Sequence, residues 1–208
     1  MANEVAVGGP AHVVVAGGTP VEWMEMGRQD WSRRIETLLS GARRGGVRWI
    51  TLLPHHGRAL DDGERARWMD NIGVGDDEQR KIATLTVAHG DRYVVREDNG
   101  TTLIIDPSPD GHVRFAATVE ALRAAGHDPY EVDEERLSHA ILDPAVWEPD
   151  LVVILGPADV IPDSMVWELA YSELVFLDLG WHELTSNHLE LAIDDFDRRH
   201  RRFGGLDS

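Results

Sequence analysis

No cysteine occurs among the 208 residues, which excludes disulfides, thiolate zinc centres and cysteine nucleophiles together and suits a reducing cytosol. Basic residues are scarce: 20 Lys and Arg stand against 37 Asp and Glu, a formal net charge of −17 that repels a polyphosphate backbone. No face of interleaved basic and aromatic residues is present either, so nucleic acid is not an expected partner. No apolar run approaches the roughly 18 residues of a transmembrane helix, and Met1 to Pro10 lacks the basic-then-apolar order of a secretory signal. The expected location is cytoplasmic. What is present is ordinary for a folded chain, 42% hydrophobic and 27% charged residues, and the length suits a single domain.

Short apolar stretches alternate with segments of helical period, the pattern of a mainly parallel sheet covered by helices. Strands are predicted over His12 to Ala16, Val47 to Leu53, Lys81 to Ala88, Leu151 to Leu155 and Leu174 to Leu179. A hairpin is predicted from Asp91 to Arg96 and Thr101 to Ile105, around Asn99-Gly100. Helical spacing covers Trp31 to Arg44, Glu64 to Asn71, Val113 to Ala125, Asp133 to Ile141 and Asp163 to Tyr171. A terminal helix follows, capped by Ser186 or Asn187.

The run Trp167-Glu168-Leu169-Ala170-Tyr171-Ser172-Glu173-Leu174-Val175-Phe176 resembles the Trp-Gln-Leu-Ala-Tyr-Ser-Glu-Leu-Tyr-Phe segment of the cis-prenyltransferases, the enzymes that make undecaprenyl diphosphate. Arg201-Arg202-Phe203-Gly204-Gly205 is similar to that family's ending. Upstream, Asp133-Glu134-Glu135, Leu137-Ser138 and Glu148-Pro149-Asp150-Leu151 keep the family's spacing, and His12-Val13-Val14-Val15 and Trp23 are separated as in its first strand and motif. Between about Pro54 and Asp106 the likeness is weak and the chain is shorter than the family. The resemblance implies an α/β, doubly wound, mainly parallel sheet flanked by helices, one domain over 11–205 between a flexible 1–10 and a 206–208 tail. It also implies a dimer through the C-terminal elements and an apolar tunnel beside a diphosphate site served by Mg²⁺.

The residues that would run the family's reaction are largely missing. Counted from His12 to Trp23, the family's catalytic aspartate falls on Gly18 and the arginine of its Asp-Gly-Asn-Gly-Arg motif on Glu22. The Arg-Thr-Gly-Gly-Glu-x-Arg that binds phosphate falls on Ile154 to Val160, with both arginines replaced by apolar residues that cannot make guanidinium–phosphate contacts. The family's Gly-Gly-Arg falls on Asp110-Gly111-His112. Glu173 persists at the position of a magnesium-associated carboxylate; alone it makes a poor Mg²⁺ site, and a polar role at a dimer interface is the other reading. By the same carry-over, Trp23, Gly111, Gly156, Arg202 and Gly204 are the substrate-binding candidates.

Other features have two readings each. Gly17-Gly18-Thr19-Pro20 is a plain strand-to-helix turn or an anion-cradling loop. His55-His56 with Asp61-Asp62, Glu64 and Asp76-Asp77-Glu78 is a solvated acidic loop or a relocated metal site. Trp23, Met24, Met26 and Trp31 are core or the lining of a lipid cavity. Arg198 to Arg202 is a helix end suited to the macrodipole or a source of cations for a neighbouring subunit, as Arg202-Phe203-Gly204 matches the Arg-x-Gly of non-catalytic partners in heterodimeric family members. The expected function is a catalytically silent accessory subunit, in a homodimer or a heterodimer with an active cis-prenyltransferase, in contact with a prenyl diphosphate or an apolar ligand. The alternative is a terpene synthase or cyclase with a relocated Mg²⁺ site.

Overall fold

The computed structural model describes residues 9–74 and 81–203. Seven strands form one sheet: β1 (His12–Ala16), β2 (Trp49–Leu53), β3 (Ile82–Val87), β4 (Gly90–Arg96), β5 (Thr102–Ile105), β6 (Leu151–Leu155) and β7 (Glu173–Leu177). Their order is β3-β4-β5-β2-β1-β6-β7, parallel from β5 to β7 and antiparallel at β3–β4 and β4–β5. The doubly wound, mainly parallel sheet expected from the alternating pattern is therefore the fold. β1 lies at the centre of the five parallel strands with every residue buried, as an apolar strand covered on both faces must.

Helices α1 (Pro20–Glu25), α2 (Arg28–Arg44), α3 (Asp62–Ile72) and α6 (Ser186–Phe203) share a core with Val13 and Val15 of β1. Trp31, Ile35, Leu38, Leu39 and Ala42 recur along one stripe of α2 and are all buried, each burial contributing about 1.5–3 kcal/mol for the larger side chains. The stripe meets Leu189, Ala192, Ile193 and Phe196 of α6. Gly41 allows the close approach, since a Cβ there would lie 2.8 Å from Leu189. Val14 and Ala16 point to the other face, against Leu53, Val152, Ile154 and Met165. On that side, α5 (Glu134–Leu142), which is contacted by α4 (Gly111–Ala124), supplies Ile141 and Leu142 to a cluster with Ile104.

Two expectations are corrected. Asp163 to Tyr171 is not a helix but turns around a single 3-10 turn, Trp167–Leu169. The carbonyls a helix would need are committed elsewhere: Asp163 O accepts from Gly111 N, and Ser164 O accepts from the Arg114 guanidinium. The terminal helix begins beneath Thr185, whose carbonyl and hydroxyl accept from His188 N, rather than beneath Ser186 or Asn187. The Gly17-Gly18-Thr19-Pro20 turn does lead into a helix, α1, with Thr19 and Glu22 forming a capping box and Pro20 in the first turn.

His12 links β1 to its neighbours from inside the core. Its ring bonds the Trp147 carbonyl at 2.8 Å and Thr51 Oγ1 at 2.9 Å, and burial pulls its pKa from 6.5 to about 4 despite the raising effect of the Trp147 bond. As pH falls below 6.5 the unfolded chain binds this proton before the folded one, so stability is lost between pH 6.5 and about 4. The expected loss is about 3 kcal/mol, read as a fall in urea-unfolding free energy that is flattened in His12→Gln.

Candidate functional site

The strand order switches at β1, with β2 and β5 on one side and β6 and β7 on the other, all running parallel, and open α/β sheets place ligands in the crevice beyond the strand carboxyl ends at such a point. Four loops meet there. His55 N donates to Gly18 O at 2.7 Å, Asp163 N donates to His55 O at 3.0 Å, and Gly111 N donates to Asp163 O at 2.9 Å. Ser164 Oγ donates to Pro54 O. These bonds link the loops that carry Gly18 and Gly111, and a Cβ at Gly156 would lie 3.8 Å from His55 Nε2.

Gly18 has φ +70°, and a Cβ there would lie 2.8 Å from Trp23 Nε1 and 2.9 Å from Trp181 Cγ. The space a side chain at this position would use is filled by two indoles. Trp23 itself is buried and donates to Gly17 O at 3.0 Å, while Trp31 donates to Trp23 O at 2.9 Å. Trp23, Trp31, Trp68 and Trp181 pack with centroids 5.8–6.5 Å apart, and Tyr93 stands edge-on to Trp68. Trp23, Met26 and Trp31 belong to the core.

Backbone donors at the helix starts carry carboxylates of this chain. Glu22 Oε2 accepts from Thr19 N at 2.7 Å, and Asp110 Oδ1 accepts from His112 N and Val113 N at the start of α4. An anionic ligand at either helix end would meet a charge of its own sign. Ile154 is fully buried in the apolar layer and Val160 is exposed. Arg58 is held on both sides by Glu64, at 2.6 and 2.5 Å.

His55 follows β2, and its Nε2 lies 3.8 Å from where a Cβ at Gly156 would stand. It is buried, its Nδ1 bonds His56 Nδ1 at 3.1 Å, and its Nε2 has no partner. Burial and the neighbouring His56 lower its pKa, against a weaker raising effect of Asp163, which keeps the ring neutral at pH 7.

The remaining candidates lie elsewhere. Glu173 opens β7 opposite Leu151, at the amino ends of the strands and so at the far end of the sheet from Gly18. Its carboxylate lies 3.8 Å from Arg199 and 3.5 Å from His200. Asp61 caps α3 and Glu64 completes the box, so this acidic group serves a helix start. Asp76-Asp77-Glu78, Gly204 and the Arg202 side chain lie outside the described residues, and Arg202 belongs to the last turn of α6. Among the described residues no group of three or more His, Asp and Glu is placed to hold a metal ion. With Gly18 hemmed in and Glu173 remote, the described crevice does not fit a resident Mg²⁺. Of the arginines between 28 and 48, Arg33 pairs with Asp30, Arg43 with Glu97 and Glu36, and Arg28 donates to Asp70 O.

A charged cluster escaped the sequence reading. Asp106, fully buried at the end of β5, accepts from His89 Nε2 and Arg92 Nε, both at 2.9 Å, and lies 3.5 Å from Arg114. Arg114 also reaches Glu168 at 2.6 Å. One signal was available: Glu168 stands where the Trp-Gln-Leu-Ala segment has a neutral glutamine, and a new buried carboxylate calls for a new cation.

A family model described as "Putative undecaprenyl diphosphate synthase" matches residues 95–204, over half of the chain. Isoprenyl transferase 2 of Bradyrhizobium diazoefficiens is 32% identical over 117 residues, covering 54% of this chain and 46% of that protein. An isoprenyl transferase of Streptococcus mutans is 28% identical over 141 residues, covering 64% and 57%. The chain thus spans about half the length of these curated relatives. In structure it is similar to lavandulyl diphosphate synthase from Lavandula x intermedia, solved with dimethylallyl diphosphate, with a TM-score of 0.58, 14% identity, and coverage of 94% of this chain and 98% of that one. With the sheet order, the matched segment and these likenesses together, the chain belongs to the cis-prenyltransferase family.

Proposed function

We propose that this chain is a catalytically silent cis-prenyltransferase relative that serves as an accessory subunit of an active prenyl diphosphate synthase. The observation that carries the reading is the filled position at Gly18, where Trp23 and Trp181 leave no room for the carboxylate the reaction needs. The capped helix starts and the apolar Ile154 and Val160 support it, because nothing in the described crevice offsets the charge of a leaving diphosphate. The opposite side of the molecule supports the pairing. β7 is an edge strand whose residues are only half-buried, and Tyr171 beside it is 71% exposed. Arg202 and Gly204 would act across that interface on a diphosphate held mainly by the partner, with Gly111 and Gly156 left to shape this chain's own crevice. The cyclase reading has no comparable support, since Asp61 and Glu64 are committed to a helix cap and to Arg58.

The test is a product assay with farnesyl diphosphate, isopentenyl diphosphate and Mg²⁺. The expected outcome is no polyprenyl product from this chain alone, a changed rate when it is mixed with the active synthase of its host, and loss of that change in Arg202→Ala. Unaided elongation would overturn silence. Failure to co-purify with a synthase, with no rate change on mixing, would overturn the accessory role.

A further inference from the structure

Away from the crevice, α1, the first turns of α2 and the turn at Trp181 to Leu184 enclose a groove of about 510 Å³. That volume suits a small molecule. Arg34 lines it while only 7% exposed, with its guanidinium 4.3 Å from the Trp181 ring centroid and Nη1 donating to Leu184 O at 2.7 Å. Trp181 is itself fixed, because its Nε1 donates to the Met26 sulfur at 3.2 Å. The cation is therefore held rigidly on an aromatic floor.

Its charge is unanswered. Nε is buried without an acceptor, and among the described residues no carboxylate lies within ion-pair distance of Arg34. Burial lowers its pKa with no acidic neighbour acting against it. A guanidinium does not neutralise itself by losing a proton in a protein, so a buried one without an anion is costly until a partner arrives. With Nη1 on Leu184 O and Nε enclosed, Nη2 is the arm of the fork that makes no hydrogen bond among the described residues and is left for a ligand oxygen.

The rim decides what else the ligand carries. Asp30 and Arg33 pair at 2.5 Å and cancel, leaving on the groove's lining the carboxylates of Glu25 and of Glu22, whose Oε2 also accepts from Thr19 N, with His182 as the other titratable group. A plain polyanion such as diphosphate would be repelled by them, whereas an ammonium would be attracted. We propose that this groove binds a small zwitterion, an aminocarboxylate whose carboxylate pairs with Arg34 and whose ammonium group faces Glu22 and Glu25. The site does not require the accessory-subunit reading, although Trp181 and Glu22 figure in both, and it shares no residue with the interface that reading invokes.

The probes are β-alanine, 4-aminobutyrate, 5-aminovalerate and 6-aminohexanoate, titrated calorimetrically into the whole chain, with butyrate, butylamine and inorganic pyrophosphate as single-charge and polyanion controls. At least one aminocarboxylate is expected to bind about tenfold or more tightly than butyrate or butylamine, as a second charged contact adds to the first. Arg34→Lys keeps the charge but not the fork and is expected to weaken that probe by about tenfold or more. Glu25→Gln, at an exposed position, is expected to leave thermal melting unchanged and to narrow the gap between the aminocarboxylate and butyrate. It carries the test if Arg34→Lys does not fold. The proposal is overturned if no aminocarboxylate saturates, if butyrate or pyrophosphate binds as tightly as the best of them, or if Glu25→Gln leaves the discrimination intact.

Discussion

Gly18→Asp will destabilise this protein by about 2–5 kcal/mol and will not create chain elongation. The φ of +70° disfavours any residue with a Cβ, at about 1–2 kcal/mol. Crowding against Trp23 Nε1 at 2.8 Å and Trp181 Cγ at 2.9 Å adds about 1–3 kcal/mol, because the indoles are wedged against each other and cannot retreat. Gly46→Asp separates the two contributions. Gly46 has a similar φ of +68° with nothing within 4 Å of a built Cβ, so it carries the conformational cost alone. Urea denaturation of the two variants should therefore differ by the crowding. A Gly18→Asp protein as stable as Gly46→Asp would mean that the indoles can make room, and an active one would show that they do not keep a carboxylate out of working position.

Asp106→Ala should cost about 3–5 kcal/mol, since it strands Arg92 and Arg114 without their shared carboxylate. Burial alone would raise the Asp106 pKa, but Arg92, the His89 bond and Arg114 hold it well below the ordinary carboxylate range. The stabilisation is therefore present above the ordinary aspartate pKa of 3.8 and disappears as pH falls through the lower folded value. At pH 7 the full penalty should appear in the unfolding midpoint of Asp106→Ala. Arg92 also donates to the Ile141 carbonyl at 2.7 Å and to the Asp143 carbonyl, so its loss would loosen the end of α5 as well. An Asp106→Ala protein within 1 kcal/mol of the parent would show that the two guanidinium groups are answered by carbonyls and Glu168 alone, against the roughly 3 kcal/mol floor expected for a broken buried pair.

Periodicity made β1, β6 and α2 readable, because each is apolar in the rhythm of its own geometry and no tertiary contact works against it. Asn99-Gly100 marked the β4–β5 hairpin for the same local reason. Residues 163–166 were not readable: helical spacing is a local property, while the carbonyls of Asp163 and Ser164 are drawn off by α4, fifty residues away in the chain. At the candidate site, motif spacing singled out Gly18, Gly111 and Gly156 but could not show what occupies the space beside Gly18. Trp181 comes to it from the far end of the sequence. The spare charge on Arg34 was equally hidden, since an arginine in a helix of alternating charges looks paired until the distances are known.

The four neighbouring indoles have an optical consequence. At centroid separations of 5.8–6.5 Å, excitation absorbed by one ring passes readily to the next, so Trp23, Trp31, Trp68 and Trp181 should emit as a coupled unit rather than as separate fluorophores. Trp181 is at once a member of that unit and the surface on which Arg34 rests. Intrinsic emission is thereby a built-in gauge of the molecule, sensitive to the cation above one ring and lost together with the close spacing when the chain opens.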